Sequence, residues 1–293
     1  MYKRIDKCPL CKSQDIKNLI ICKDYLCSGE SFAINICNSC SFQFTNPRPL
    51  DDELSKYYQS DKYISHTNKG NTFINFLYKI VRNYTLNSKL KLIKRLSKKR
   101  NLLDVGCGTG EFLKVCKKDN WTVTGVESDQ HAREIAENNL NQKVFEHLDD
   151  CKQYSKYNII SLWHVLEHIP DLHNTVKHLK KLLSSNGFIL FALPNVDSFD
   201  ANKYKEYWAA YDVPRHLYHF NQKSFKKLMR IHDLKIIDTK PMRFDSFYVS
   251  LLSEKNKTNS SNYLKSFLTG SKSNSYGLRN NNNYSSLIYI VKK

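Results

Sequence analysis

The sequence contains no apolar run long enough to cross a bilayer, which argues against a membrane-spanning protein. Its start, MYKRIDKCPLCKS, is basic but has no apolar stretch behind it, so we expect no signal peptide and a cytoplasmic location. Acidic residues are also few: 28 Asp and Glu stand against 46 Lys and Arg, for a formal net charge of +18. The acidic residues concentrate in 101–200, and the basic flanks could meet RNA, an anionic glycan or a nucleotide-linked sugar.

From residue 101 onward, short apolar runs alternate with helical patterns. This alternation predicts an α/β fold with a doubly wound, mostly parallel sheet. Two segments interrupt it: the aromatic-rich segment 194–222, predicted to be a substrate lid, and the Ser-, Asn- and Lys-rich segment 255–284, predicted to be a mobile loop. The predicted divisions of the chain are a cysteine-bearing module at 1–45, a connector with helices that pack on the core at 46–99, and the main domain at 100–293.

Glycine is scarce as well, with nine in the chain, yet three of them stand at alternate positions in the run LLDVGCGTG. Gly106, Gly108 and Gly110 let the backbone turn tightly against a ligand at the carboxyl end of a strand. A dinucleotide fingerprint would read G-x-G-x-x-G and would aim a helix at a pyrophosphate. Here Asp104 precedes the glycines, and a carboxylate repels phosphate but attracts ammonium and sulfonium groups. S-adenosylmethionine (SAM) carries both cations and no phosphate, so the loop predicts a SAM site.

The next strand ends in VTGVES, which places Glu127 and Ser128 beside the same loop. An acid at this strand end can accept hydrogen bonds from both ribose hydroxyls of the cofactor. NAD would use the same acid, so the choice of SAM rests on Asp104 and the glycine spacing. Cys107 lies inside the loop, and we predict a small filler against the cofactor rather than a nucleophile, because no base is paired with it.

Residues 101–193 resemble a class I SAM-dependent methyltransferase in the motifs LLDVGCGTGEFL, VTGVES and ISLWHVLEHIPD. A broad bacterial group of enzymes that methylate small molecules, quinone precursors and sugars has motifs similar to HVLEHIPD, LPN and WAAYDVPRHLYHFNQKSF. The resemblance implies a Rossmann-like, seven-stranded sheet whose last strand, SLIYIVK, is antiparallel. It also implies that Trp163 and His164 lie against the sulfonium end of SAM, and it says little about the acceptor.

Candidate acceptor-side residues follow the fourth strand. His168 is a candidate general base because imidazole titrates near neutrality, with a loop-capping role as the alternative; Glu167 beside it is either functional or structural. His216 is a second candidate base. Arg215 is predicted to bind phosphate or carboxylate, unless the run PRH is only a structural turn. The other residues predicted to contact the acceptor are Trp208, Tyr211 and His219.

Four of the nine cysteines form two Cys-x-x-Cys pairs, Cys8 with Cys11 and Cys37 with Cys40. In a reducing compartment this spacing argues against disulfides and for a metal. Two such turns close one tetrahedral, four-thiolate site, so we predict a structural zinc ion in a zinc-ribbon-like module. The module resembles the four-cysteine start of sugar C-methyltransferases of deoxysugar pathways, and also that of certain large-subunit rRNA guanine methyltransferases.

The sequence thus predicts a SAM-dependent methyltransferase that acts on a small-molecule or sugar acceptor in glycan or secondary-metabolite biosynthesis. Two alternatives stay open. In an rRNA or tRNA methyltransferase, the zinc module and the basic flanks would bind RNA, and binding would weaken steeply as salt rises. A scaffold that binds SAM without turnover would yield no S-adenosylhomocysteine with any extract.

Overall fold

The computed structural model describes residues 1–58, 72–153 and 156–293, with side chains for all of these except 72–79 and 152–153. Residues 59–71 of the predicted connector and its helices therefore lie outside the described ranges. The strands are β1 (Tyr2–Lys3), β2 (Ile16–Lys23), β3 (Ser31–Cys37), β4 (Gln43–Thr45), β5 (Arg48–Pro49), β6 (Asn101–Val105), β7 (Thr122–Val126), β8 (Tyr157–Trp163), β9 (Leu183–Pro194), β10 (Tyr218–His219), β11 (Lys235–Pro241) and β12 (Ser286–Lys292). The α-helices are α1 (Thr72–Leu96), α2 (Glu111–Lys118), α3 (Gln130–Leu140), α4 (Leu172–Leu182), α5 (Phe199–Tyr204), α6 (Gln222–Ile231), α7 (Asp245–Thr258) and α8 (Tyr263–Arg279).

A six-stranded sheet in the order β11-β12-β9-β8-β6-β7 forms the centre of the described structure. Strands β7, β6, β8 and β9 run parallel, and β12 lies antiparallel between β9 and β11. This arrangement confirms the predicted α/β fold and its antiparallel last strand. The seventh strand is reduced to a single parallel bridge from Phe145 to Val126, because the chain follows the edge of β7 for only one residue.

Both faces of the central sheet are buried, which explains why its strands read as continuous apolar runs. Leu102 and Leu103 are neighbours in β6 and point to opposite faces, where they join two different hydrophobic clusters. Leu102 shares its cluster with Leu113 of α2, and Leu103 shares the other with Val176 of α4. The parallel strands therefore leave only their ends exposed, and the loops after β6, β7 and β8 gather at one edge, where α/β sheets bind ligands.

The N-terminal strands form a second sheet that includes a strand of the main domain. Its order is β10-β4-β3-β2, so that β10 extends the antiparallel arrangement begun by the β2–β3 hairpin. In the register of β10 and β4, Tyr218 lies opposite Phe44 and His219 lies opposite Gln43. The cysteine-bearing region is consequently joined to the main domain by backbone hydrogen bonds and shares its hydrophobic core.

The prediction of a mobile loop over 255–284 is wrong, because this segment contains the end of α7 and the whole of α8. Its hydroxyl residues suggested a loop, yet they line the buried side of the helix. Ser266 and Thr269 donate to the backbone carbonyls four residues earlier, at 2.7 and 2.8 Å, so burying them leaves no hydroxyl unpaired. Like the other helices in the described ranges, α7 and α8 fall short of what crossing a bilayer requires.

Candidate functional site

The glycine loop after β6 adopts a conformation that requires glycine. Gly106, Gly108 and Gly110 have φ values of 69°, 54° and 77°, in the left-handed region that L side chains rarely occupy. A Cβ atom at Gly106 would lie 2.5 Å from a methyl group of Val165, so the backbone passes too close to the next loop for a side chain. A Cβ at Gly108 would meet nothing within 4 Å. The loop thus packs on one side and is open on the other.

Asp104 lies beneath this loop with only 2% of its surface exposed. Ser161 in β8 donates to its Oδ1 atom at 2.5 Å. Burial raises the pKa of Asp104 to about 7, against the opposing effects of Ser161 and the Lys89 ammonium group. The Lys89 Nζ atom lies 4.2 Å from the ring centroid of Trp163, and burial lowers its pKa. The Lys89 ammonium group thus covers the Trp163 face, and the buried Asp104 carboxylate favours a cation beside the glycine loop.

Glu127 comes directly after β7 and lies against the glycine loop, as the sequence predicts. Its Oε2 atom accepts a hydrogen bond from the Gly108 amide at 2.8 Å, and its Oε1 atom accepts from the Asp129 amide at 2.9 Å. The carboxylate is therefore fixed before any ligand binds. Ser128 contributes its carbonyl to Arg133 rather than a side chain to the loop. Burial raises the pKa of the Cys107 thiol, which makes it a poor nucleophile.

His164 follows β8 and forms an ion-paired group with two carboxylates. Its Nε2 atom lies 3.0 Å from Asp245 Oδ2, and its Nδ1 atom lies 3.4 Å from Glu167 Oε1. Burial opposes a charge on the imidazole, but both carboxylates outweigh it and raise the pKa of His164 to about 10. Burial alone would raise the pKa of Glu167, but the neighbouring imidazole of His164 holds it below its usual value. His164 is thus an imidazolium ion at physiological pH.

The two candidate bases lie together. The rings of His168 and His216 meet edge to face, with centroids 4.5 Å apart. Burial, and then the neighbouring His216, lower the pKa of His168 to about 4, so its ring is neutral. The Nδ1 atom of His216 lies 2.9 Å from the carbonyl oxygen of Ala210. Because a carbonyl only accepts, Nδ1 carries a proton, which leaves Nε2 as the ring nitrogen available for proton exchange.

Arg215 does not have the predicted role of a free anion clamp. Its guanidinium group is 1% exposed and donates from Nη2 to Asp24 at 2.9 Å and to Asp212 at 2.6 Å. Its Nε also donates to Asp212, and its Nη1 donates to the Tyr57 carbonyl. These protein acceptors occupy the fork that would have held a phosphate or carboxylate. Arg215 instead links the N-terminal region to segment 194–222.

The aromatic residues of segment 194–222 are anchored rather than free. Trp208 donates from its indole nitrogen to buried Asp200 at 2.8 Å and packs edge to face on Tyr211. His219 is buried, and its Nε2 atom lies 3.1 Å from Thr45 Oγ1. Trp208 and Tyr211 still border a cavity, whereas His219 lies outside its lining, a correction to its predicted role as an acceptor contact. Segment 194–222 therefore forms a packed wall of this cavity.

That cavity has a volume of about 490 Å³, which suits a small-molecule ligand. Several parts of the chain line it. His164 and Asp245 mark the end at the strand edge, His216 belongs to segment 194–222, and Tyr25 comes from the N-terminal region. Helix α7 supplies a further wall with Tyr248, Val249 and Leu252.

Asp245, the partner of His164, is not among the site residues predicted from the sequence. A signal for it does exist. Because β11 and β9 both run antiparallel to β12, the carboxyl end of β11 lies at the same sheet edge as the glycine loop. An acid at the start of the helix that follows such a strand is well placed to reach that edge.

The four paired cysteines converge in the N-terminal region. Their sulfur atoms all lie within 4.8 Å of one another, with Cys8 and Cys40 at 3.6 Å and Cys11 and Cys37 at 3.6 Å. A tetrahedral zinc ion with Zn–S bonds of about 2.3 Å would separate its sulfurs by about 3.8 Å. All nine cysteines are free thiols, so no disulfide accounts for this approach.

The two Cys-x-x-Cys turns have the same backbone hydrogen bond. Lys12 donates its amide to the Cys8 carbonyl at 2.9 Å, and Ser41 donates to the Cys37 carbonyl at 2.7 Å. Lys12 and Ser41 both have positive φ, 66° and 59°. Two matching turns that present two sulfurs each fit one four-thiolate ion.

The fold and the glycine loop together define the class of a SAM-dependent methyltransferase. The family model described as "Methyltransferase domain" matches residues 79–239, which is more than half of the chain. The chain therefore belongs to this methyltransferase-domain family.

Among curated proteins, the ubiquinone biosynthesis O-methyltransferase of Coxiella burnetii (strain Dugway 5J108-111) is 29% identical over 105 residues, covering 33% of this chain and 45% of that protein. The protein of the same name from Escherichia fergusonii is 29% identical over 106 residues, covering 33% and 43%. The similarity thus spans less than half the length of these relatives.

A solved structure with the same fold is magnesium protoporphyrin IX methyltransferase from Synechocystis PCC 6803 with bound SAH. It is 13% identical, covers 83% of this chain and 100% of its own, and has a TM-score of 0.53. The same protein with bound SAM gives 15% identity, coverages of 84% and 99%, and a TM-score of 0.50. At this identity the likeness concerns the fold.

Proposed function

We propose that this protein transfers a methyl group from SAM to a hydroxyl group of a small-molecule acceptor held in the 490 Å³ cavity. One observation carries the proposal: the cavity joins His164, at the carboxyl end of β8, to His216, whose Nδ1 is held by the Ala210 carbonyl so that Nε2 is the nitrogen left for proton transfer. The cavity therefore joins the sheet edge where SAM would bind to a candidate general base. The curated relatives are O-methyltransferases, which supports oxygen as the acceptor atom.

The residues of the glycine loop fit SAM. The open side of Gly108 admits the cofactor, the fixed carboxylate of Glu127 suits the ribose hydroxyls, and buried Asp104 suits a cationic group. When bound, SAM supplies an electrophilic methyl group on a sulfonium and leaves as a neutral thioether. Because this leaving group is good, the protein's task is mainly alignment and exclusion of water.

His216 is the proposed general base. As the acceptor oxygen bonds to the methyl carbon and the carbon–sulfur bond breaks, the hydroxyl proton passes to His216 Nε2. The resulting imidazolium is stabilised by Asp212, whose Oδ2 atom lies 3.9 Å from Nε2. His168 is a positioning residue, because its neutral ring packs against His216 without repelling the new charge.

The cavity walls offer apolar faces to a ring-shaped acceptor, beside charged side chains that include Lys23, Lys89 and Lys255. Trp208, Tyr211, Val249 and Leu252 present apolar surface, and the Arg215 guanidinium is already occupied by carboxylates. A quinone precursor or a sugar has a ring that these apolar faces can cover.

The test is transfer of labelled methyl from SAM into two fractions of a cell extract, small molecules with glycans and total RNA. We expect label in the small-molecule fraction. His216→Gln should lower transfer by about 10²-fold or more while SAM affinity stays unchanged, because only the proton acceptor is lost. His147→Gln, on an exposed imidazole, is the matched control. Label confined to RNA, or full activity of His216→Gln, would refute this assignment.

We also propose that Cys8, Cys11, Cys37 and Cys40 hold one structural zinc ion. The matching turns and the sulfur spacing support it. Four thiolates leave no open coordination position, so the ion would stabilise the N-terminal sheet and take no part in methyl transfer.

A further inference from the structure

Helix α8 is packed with its apolar side outward. Its buried positions are small or hydroxyl-bearing: Ser266, Thr269, Gly270, Ser273 and Gly277. The fit is close on that side, because a Cβ at Gly270 would lie 2.5 Å from the Phe247 ring of α7. Soluble helices normally bury their apolar stripe, so this inversion needs an explanation.

The outward side carries large apolar side chains. Tyr263, Leu264, Phe267 and Leu268 are 58%, 72%, 60% and 51% exposed, and Leu278 is 70% exposed. Helical geometry places these positions on one stripe opposite the buried residues. Isolated exposed apolar residues are ordinary, but four within two turns form a patch that indicates an interaction surface.

A row of basic residues borders the apolar stripe. Lys265, Lys272 and Arg279 are spaced seven residues apart, so they lie along one line of α8, and all three are exposed. The Lys265 ammonium group pairs with the buried Glu254 carboxylate of α7, which leaves Lys272 and Arg279 as the main charges of this row. Acids are missing from this part of the sequence: the chain contains no Asp or Glu after Glu254. A membrane with anionic lipids has a negatively charged headgroup layer over an apolar interior. An apolar stripe beside a basic row complements both layers.

We propose that α8 docks this protein on the surface of membranes that contain anionic phospholipids. The apolar stripe would enter the boundary between headgroups and acyl chains, and the basic row would meet the phosphates. A second copy of the chain is a poorer occupant, because it would bring the same basic row against itself. The docking is independent of the methyl acceptor and of methyl transfer.

The position of α8 relates this surface to the cavity. The rings of Phe267 in α8 and Phe247 in α7 stack at 5.4 Å and 24°. Helix α7 in turn lines the cavity with Tyr248 and Leu252. A bilayer under α8 would therefore lie next to a helix that forms the cavity wall.

The experiment is co-sedimentation of the full chain with phosphatidylcholine vesicles, with and without phosphatidylglycerol. We expect binding only when phosphatidylglycerol is present, and weaker binding as salt rises. The double variant Leu264→Ser/Phe267→Ser should lose at least tenfold in partitioning. Leu264→Ser/Leu278→Ser is a second variant that leaves the Phe267–Phe247 contact intact and should show a similar loss.

Ile21→Ser, an exposed apolar residue of β2, is the matched control and should bind as the parent does. Unchanged thermal unfolding would show that each variant is folded. Absence of binding to phosphatidylglycerol vesicles would overturn the proposal. Binding that survives both double variants would overturn it as well, and so would a dimer that these variants dissociate.

Discussion

The position of Asp104 beneath the glycine loop was predictable from the sequence, but its pKa was not. The alternation of glycines and the acid before them predicted its place beneath the loop. Its pKa of about 7 depends on burial and on two groups that are distant in sequence, the Ser161 hydroxyl in β8 and the Lys89 ammonium group in α1. Between the ordinary Asp pKa and this raised value, the folded state holds the proton more tightly than the unfolded chain. In the absence of ligand, Asp104 therefore lowers stability as pH rises toward 7.

A cationic cofactor should favour ionised Asp104, so SAM affinity should increase with pH. From one unit below the pKa to one unit above it, we expect a rise of about tenfold, because the ionised fraction rises by that factor. Titration calorimetry across this range measures it. Asp104→Asn should bind SAM weakly without this dependence, and Asp52→Asn, at an exposed acid, should behave as the parent. A flat pH profile in the parent would contradict the proposed contact.

Residues with several partners were the hardest to assign from sequence. Arg215 and His219 sit in a motif typical of a functional site, and composition alone cannot tell a guanidinium that binds ligand from one that binds Asp24 and Asp212. Asp24 is 191 positions away in sequence from Arg215, and only the fold brings them together. The cofactor loop was predictable because its residues are local, and the acceptor wall was not because its residues are distant.

Among the elements, segment 194–222 and the N-terminal sheet depend on the Arg215 ion pairs. Arg215→Met should lower the free energy of unfolding by about 3–5 kcal/mol, because it leaves buried carboxylates without their counter-charge. Arg230→Met on the exposed side of α6 is the control. Denaturant unfolding followed by circular dichroism provides the measurement, and a change of less than about 1 kcal/mol would mean that these pairs contribute little.

Helix α8 is the element that sequence composition misrepresented. Serine and asparagine favour loops when their side chains compete for the backbone, but in α8 the Ser266 and Thr269 hydroxyls donate to carbonyls one turn earlier, and Ser273 donates to the Asp200 carboxylate of α5. The strands of the central sheet were predictable because their apolar runs have one consistent explanation, burial on both faces.

In the whole molecule, the four-cysteine site and the methyltransferase domain are mechanically connected through β4 and β10. If zinc occupies the site, the purified protein should contain about one zinc per chain. Stripping it with a chelator should lower both the melting temperature and methyl transfer, because Tyr25 in the cavity wall belongs to the N-terminal region.

Cys37→Ser should lose the metal, whereas Cys27→Ser, an exposed thiol outside the cluster, should keep it. Elemental analysis and a thermal scan check both. Protein that is free of metal yet melts at the same temperature would show that the sulfur cluster does not bind zinc.

The pairing of β4 with β10 also has a consequence for how the chain acquires its structure. One edge of β4 is satisfied by β3, which lies a few residues away, but the other must wait for a strand about 174 positions further along, as the contact from Thr45 to His219 shows. During synthesis, or in a fragment that stops before β10, that edge would be open to pair with a strand of another chain. Such separated partners also slow folding, because a long loop must close before the contact forms. Expression of shortened versions should therefore yield inclusion bodies more readily than expression of the full chain.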